Sequence, residues 1–440
     1  MSSVSIKPQN LPETLVWYYI LGTYVFYFTG LQFVAGPILG GILAFLALKK
    51  WWLQTESTPL SERITIPISV WVWLIATLVI EFALIMGHLD FNLGLFQILK
   101  STLLWYRTWF LLALFPLAGC LNIRPQLVCR ATCILCLQSL ILIFLIYLPS
   151  VLLNLPELVY TSPLKFFGSP TTHYDTNVLL RIGKRLVLFA PWPTYLGILG
   201  NTYFFLALHE SDRKWRWIGI VTSMLMIVLS VSRLAVLSLP IVLVSLWIIT
   251  NIARPWVQIL AGFLSFGMSV FLPTLLSWAQ AFKDEVDRFR SGSSQVREAI
   301  YQMTLDRWWQ EAIIWGHGMN PEKGPAYLAD KPFGSHHTWY GILYSHGLVG
   351  LFALAIAFAW TVIDLVIKAQ RNQVAKIAFA IVLSLLLGSL IDNLNFFSYL
   401  YYPGLILLGI ALKQDQQLPT LESEYPVNNA VLNVTSSKNT

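Results

Sequence analysis

The chain has 440 residues, of which 56% are hydrophobic and only 12% charged, with a formal net charge of +7 and a mean hydropathy of +0.64. Soluble globular domains carry about 25% charged residues, so the composition excludes a soluble enzyme and predicts a polytopic membrane protein. The positive balance does not signal nucleic acid, because most basic residues flank apolar segments, where they set topology.

Residues 1–13 are polar and lead into an apolar run with no A-x-A-like site, so no cleavable signal peptide is expected and the first span stays as an anchor. A spanning helix needs roughly 17 to 25 mostly apolar residues. Twelve segments qualify: 14–30, 32–49, 66–86, 99–119, 127–153, 186–208, 215–231, 233–250, 256–279, 339–367, 374–391 and 394–412. The first and last pairs could each be one longer or broken element. The apolar run 221–250 is split at Ser230-Val231-Ser232-Arg233 into two helices, since an arginine at mid-bilayer costs about 2.5 kcal/mol or more. The expectation is an all-α polytopic membrane protein of about 12 transmembrane helices, with a long helical outer loop before the third-last helix. Residues 1–279 hold nine spans and an outer loop at 155–185, 280–338 form the long outer loop, 339–412 hold three spans, and 413–440 are a disordered cytoplasmic tail.

With both termini inside, the short cytoplasmic loops collect Lys49, Lys50, Arg63, Arg124, Arg130, Arg213, Lys214, Arg216, Arg254, Lys368, Arg371 and Lys376. Positive loops belong in the cytoplasm, so both long loops then face outward. Cys120, Cys129, Cys133 and Cys136 lie in or beside apolar segments and read as buried hydrophobes. The Cys133/Cys136 pair has no histidine or second pair nearby and is a poor metal site.

Three features converge on the outer face. Arg233 stands at the start of a span, where a guanidinium either snorkels to the interface or holds a diphosphate through paired hydrogen bonds. The 280–335 interval carries Arg288, Arg290, Arg297 and Arg307. Ser293 or Ser294 can cap a helix over about 295–311, on which Arg297, Tyr301 and Trp308 share a face while Val296, Ile300 and Met303 pack inward. A cation beside aromatic rings suits a sugar diphosphate; an amphipathic helix lying on lipid is the plainer reading. Finally, His336 and His337 follow a flexible Gly334-Ser335 and precede Trp339 and a span. Neighbouring helical residues point about 100° apart, so one imidazole faces the site, positioned to take a proton from a sugar hydroxyl or to bind phosphate. His173 and Asp175 form a weaker polar pair in the other loop. The acidic run Asp284-Glu285-Val286-Asp287 alternates with Lys283, Arg288 and Arg290 and reads as self-neutralising charge, so no metal is expected. The chain has no phosphate-cradling G-x-x-x-x-G-K loop, which argues against nucleotide hydrolysis.

Taken together, these residues resemble the O-antigen ligase and polymerase family of bacterial membrane glycosyltransferases, which includes capsule and exopolysaccharide polymerases. The matching pieces are Ser230-Val231-Ser232-Arg233-Leu234-Ala235, Arg297 ahead of Trp315-Gly316-His317-Gly318, and the block from His336 to Gly347-Leu348-Val349-Gly350. His336 takes the place of the family histidine, His337 replaces a small polar residue, and Ser345 stands where an acidic residue is frequent. The resemblance covers about 230–350 and implies a GT-C-like membrane fold with an active site facing the periplasm. It implies a polyprenyl-diphosphate-linked (undecaprenyl) glycan donor, a glycan or lipid acceptor, and no metal, nucleotide or other cofactor. By position, Arg233 and Arg297, with Arg290 of the same loop, would bind the donor diphosphate. His336, with His337 as the alternative, would activate the acceptor, and Tyr301, Trp308 and Trp339 would bind glycan. The expected activity is metal-independent, inverting polymerisation of glycan units in the bacterial plasma membrane, alongside other polysaccharide assembly or export proteins. Transfer to a lipid or protein acceptor by a ligase, and transport of a lipid-linked oligosaccharide by a flippase, are the alternatives.

Overall fold

Lipid offers no partners to backbone N–H and C=O groups, which restricts isolated spans to helices, and the chain folds accordingly. In a computed structural model, residues 6–59, 63–164, 177–252, 254–289, 291–319 and 332–414 are described, and they are mostly helical. The expected tail beyond 414, His173, Asp175 and Arg290 lie outside the described residues.

The first expected span is two helices, α1 (Leu11–Leu21) and α2 (Thr23–Thr29), broken at Gly22 and ended by the left-handed Gly30. Next come α3 (Gln32–Leu53) and α4 (Ile68–Asp90). The segment expected at 99–119 is also broken, into α5 (Leu95–Arg107) and α6 (Leu111–Gly119). Helix α7 (Pro125–Leu142) continues through a π-helical turn, Ile143–Tyr147, into α8 (Leu148–Leu152). Two small antiparallel pairs follow: β1 (Val159–Thr161) with β2 (Asn177–Leu179), and β3 (Arg181–Ile182) with β4 (Arg185–Leu186). Strand β4 and the turns after it take up the start of the span expected at 186–208, so α9 begins only at Pro193 and ends at Leu208.

Helices α10 (Arg213–Leu229) and α11 (Arg233–Asn251) flank the turn expected at Arg233, with Val231 in a left-handed conformation and Ser232 as the N-cap. Helix α12 (Pro255–Phe289) runs past the apolar segment into the polar interval, with Phe263 and most of its other apolar side chains exposed, as suits a lipid-facing helix. The run at 284–287 falls on its backbone. Helices α13 (Ser291–Glu311), α14 (Thr338–Ala369) and α15 (Gln373–Ser389) follow. A 3-10 segment, Leu394–Leu400, then meets α16 (Tyr402–Lys413) at 85°.

All twelve expected segments are thus largely helical, but six helices among the described residues are long and apolar enough to cross a membrane, or seven if the bent pair at 394–413 counts as one span. The others are short or interrupted, so length and composition establish a multi-pass all-α protein without fixing twelve crossings. The core lies where α6 and α16 pack together, with every residue of α6 and most of α16 buried. Gly119 and Gly409 let these backbones touch: a Cβ at Gly409 would lie 1.9 Å from the Pro116 carbonyl oxygen. All four cysteines are buried free thiols.

Candidate functional site

The polar interval ahead of α14 is anchored by one face of α13. Ile300 is buried, and Thr304 one turn later is fully buried. Thr304 Oγ1 donates to the Ile300 carbonyl at 2.6 Å and accepts the Gly334 N–H at 3.0 Å. Tyr301, on the same face, donates its hydroxyl to the His336 carbonyl at 3.0 Å. Burial pushes the Tyr301 hydroxyl up to about 12 against the opposing pull of Arg297, so it remains a donor at neutral pH. Arg297, one turn earlier, is half-buried. The α13 face therefore sets both a cation and the histidine segment.

His336 has φ +64°, a left-handed conformation that costs a β-carbon residue on the order of 1–3 kcal/mol and persists only where its surroundings impose it. Its neighbours impose it here: Tyr301 holds its carbonyl, and the His337 N–H donates to Asn393 Oδ1 at 3.0 Å. His337 is the N-cap of α14, its Nδ1 accepting from the Tyr340 N–H at 3.4 Å, and its ring packs 4.4 Å from that of Tyr340 and 5.5 Å from that of Tyr301. Burial lowers the His337 imidazole below its ordinary value.

Asp392 and Asn393, in the break after α15, complete the frame. The Asp392 carboxylate accepts from Tyr195 at 2.8 Å and Thr194 at 2.9 Å, both in the first turn of α9, and its carbonyl accepts from Thr338 Oγ1 at 2.6 Å. That same turn of α9 receives the Ser230–Arg233 corner: a Cβ on Gly197 would meet Ala235, Ser230 and Ser232 within 3.2 Å. The Arg233 turn and the His336 segment thus rest on opposite ends of one short stack, Gly197, Tyr195, Asp392 and Asn393. Arg233 itself is exposed at the start of α11, and no hydrogen bond or ion pair links it to His336 or Arg297 among the described residues.

A second junction explains two glycine-containing stretches. Gly347, at φ +61° and ψ −161°, breaks α14, and the backbone after α13 fills the gap. His317 and Gly318 donate to the carbonyls of Tyr344 and Ser345 at 2.8 and 3.0 Å, while Leu348 donates to Ile313 at 3.0 Å. His317 is fully buried, stacked 4.2 Å from Tyr344, with Nε2 2.8 Å from Glu311 Oε2. Glu311 also accepts from Arg307, whose hydrogen bonds hold its carboxyl below the usual range. Trp315-Gly316-His317-Gly318 and Gly347-Leu348-Val349-Gly350 are therefore the two halves of one backbone joint.

The aromatic residues divide by role. Tyr301 meets the histidine segment. Trp308 donates its indole to the Ile313 carbonyl at 3.0 Å beyond the end of α13, and Trp339 donates to Ser389 Oγ at 2.9 Å and packs on Phe358 inside the bundle. Asp392, Asn393 and Thr304 did not stand out from the sequence as site residues; the only signal was the polar interruption Ile391-Asp392-Asn393 in an apolar run, which does not show what those groups hold.

Helices α10, α11, α12 and α13 and the first part of α14 lie in one stretch that carries all three convergent features. Residues 218–355 match the O-antigen ligase family. The match covers a minority of the chain but includes Arg233, Arg297, Tyr301, His336 and His337, and it supports the resemblance read from those residues. Asp392 and Asn393, which hold the histidine segment, lie outside the stretch that is similar to O-antigen ligases. No curated protein matches the chain.

Proposed function

We propose that this protein is a membrane glycosyltransferase that joins polyprenyl-diphosphate-linked glycan units at the outer face of the bacterial plasma membrane. The observation that carries the reading is the clamp of the His336 segment on α13, the helix that also carries Arg297, within the stretch similar to O-antigen ligases. An acceptor hydroxyl gives its proton to the His336 imidazole as its oxygen attacks the anomeric carbon of the donor. The bond to the diphosphate breaks with inversion, and Arg233 and Arg297, with Arg290, take up charge on the leaving diphosphate, an electrostatic contribution that is usually the largest single one. Tyr301 positions the histidine. The chemistry needs no metal or nucleotide, because the donor is already activated.

Polymerisation of repeat units is the first reading. Transfer to a lipid or protein acceptor is the second, favoured by the ligase description of the matching family; the two share donor chemistry and differ in acceptor. Transport is less well supported. The buried acid in a broken span, Asp392, already has Thr194 and Tyr195 as partners.

The glycan chain-length profile of cells lacking the native protein, complemented with wild type, His336→Ala, Arg233→Ala or Arg297→Ala at equal expression, tests this reading. Loss of long chains with lipid-linked single units collecting on the outer leaflet is expected for each variant. Units collecting on the inner leaflet would identify a transporter instead.

A further inference from the structure

Beside the His336 segment lies a cavity of about 160 Å³, whose walls include Trp109, Ser335, Tyr344, Asn393, Asn395 and Phe396. None of the described residues lining it is charged, which suits a neutral ligand better than a diphosphate. Its walls are polar in a particular way. Asn395 is only 5% exposed, yet its amide has no hydrogen-bond partner among the described residues. Ser335 Oγ and Trp109 Nε1 are also buried without partners among the described residues. Buried polar groups are nearly always paired, and those left over mark a missing ligand or water. Neutral amide, hydroxyl and indole groups together with the aromatic side chains of Tyr344 and Phe396 match a sugar ring, which offers both hydroxyls and apolar C–H groups.

We propose that this cavity is the acceptor subsite, holding one uncharged saccharide ring so that its nucleophilic hydroxyl is presented to the histidine segment. The proposal rests on the glycosyl-transfer reading above and adds where the acceptor sits. Placement follows from shared walls: Ser335 immediately precedes His336, and Asn393 both lines the cavity and accepts the His337 N–H. The donor diphosphate stays outside, with the arginines, and the two substrates meet at His336.

The test uses the full chain in lipid nanodiscs, with lipid-linked units from the source cells as donor and a soluble oligosaccharide cut from the cells' own polymer as acceptor. Asn395→Leu and Ser335→Ala each remove a side-chain polar group that has no hydrogen-bond partner among the described residues, so both variants should melt no lower than wild type. Each should raise the acceptor KM about tenfold, the worth of one lost hydrogen bond, while the donor KM and the kcat at saturating acceptor stay unchanged. A change in donor KM instead would place the donor in the cavity and overturn the proposal. Wild-type transfer with unchanged acceptor KM in both variants also overturns it, leaving glycosyl transfer standing, whereas no transfer by wild type overturns both.

Discussion

At the scale of single residues, the adjacent histidines are separable by experiment. His337 caps α14 and is half-buried, which lowers its imidazole below the ordinary 6.5. A histidine held neutral in the fold is protonated first in the unfolded chain, so its contribution to stability is complete above about pH 6.5 and is lost as the pH falls toward the lowered folded value. Asparagine caps a helix equally well without titrating. His337→Asn should therefore keep glycan transfer and lessen the loss of stability between pH 6.5 and 5, read by thermal unfolding in detergent across that range; loss of transfer would instead make His337 the base. Tyr301→Phe keeps the ring and removes the hydrogen bond to the His336 carbonyl, worth about 0.5–1.5 kcal/mol. Turnover should fall by up to about tenfold, with no new pH dependence between 6 and 9, because the hydroxyl does not ionise there.

At the scale of elements, the break in α14 is the feature on which the site's geometry depends. A methyl at Gly347 would lie 2.2 Å from the Ile314 carbonyl oxygen, and the left-handed backbone alone costs a residue other than glycine about 1–2 kcal/mol. Gly347→Ala should lower the melting temperature and impair transfer together, measured on the same detergent preparation. A variant of full stability and activity would show that the joint does not set the site. The Ser230–Arg233 corner was legible in the sequence because an arginine within a long apolar run must reach an interface. The start of α13 was read four residues late, since the serines expected to cap it are themselves helical. The Gly347 break was not legible: the apolar pattern continues across it, and its partner backbone, 313–318, lies some thirty residues away in sequence.

At the scale of the whole molecule, composition announced a multi-pass helical protein, yet helix lengths could not be counted from hydropathy. Gly22 and the corner at Thr108 interrupt stretches that look continuous, because backbone irregularity buried against neighbouring helices is tolerated at membrane depth. Likewise, the candidate residues Arg233, Arg297 and His336 can be proposed from local pattern, whereas the contacts of Thr304, Asp392 and Asn393 that frame the His336 segment join distant segments and do not show in the sequence. The central claim is that this frame performs glycosyl transfer. The most direct measurement reconstitutes the purified chain in liposomes with its lipid-linked glycan and follows release of polyprenyl diphosphate together with joined glycan. Wild type should release one diphosphate for each new linkage in the presence of a metal chelator, and His336→Ala should slow this by about a hundredfold or more. Unchanged release by His336→Ala, or translocation of intact lipid-linked glycan without release, would contradict the account.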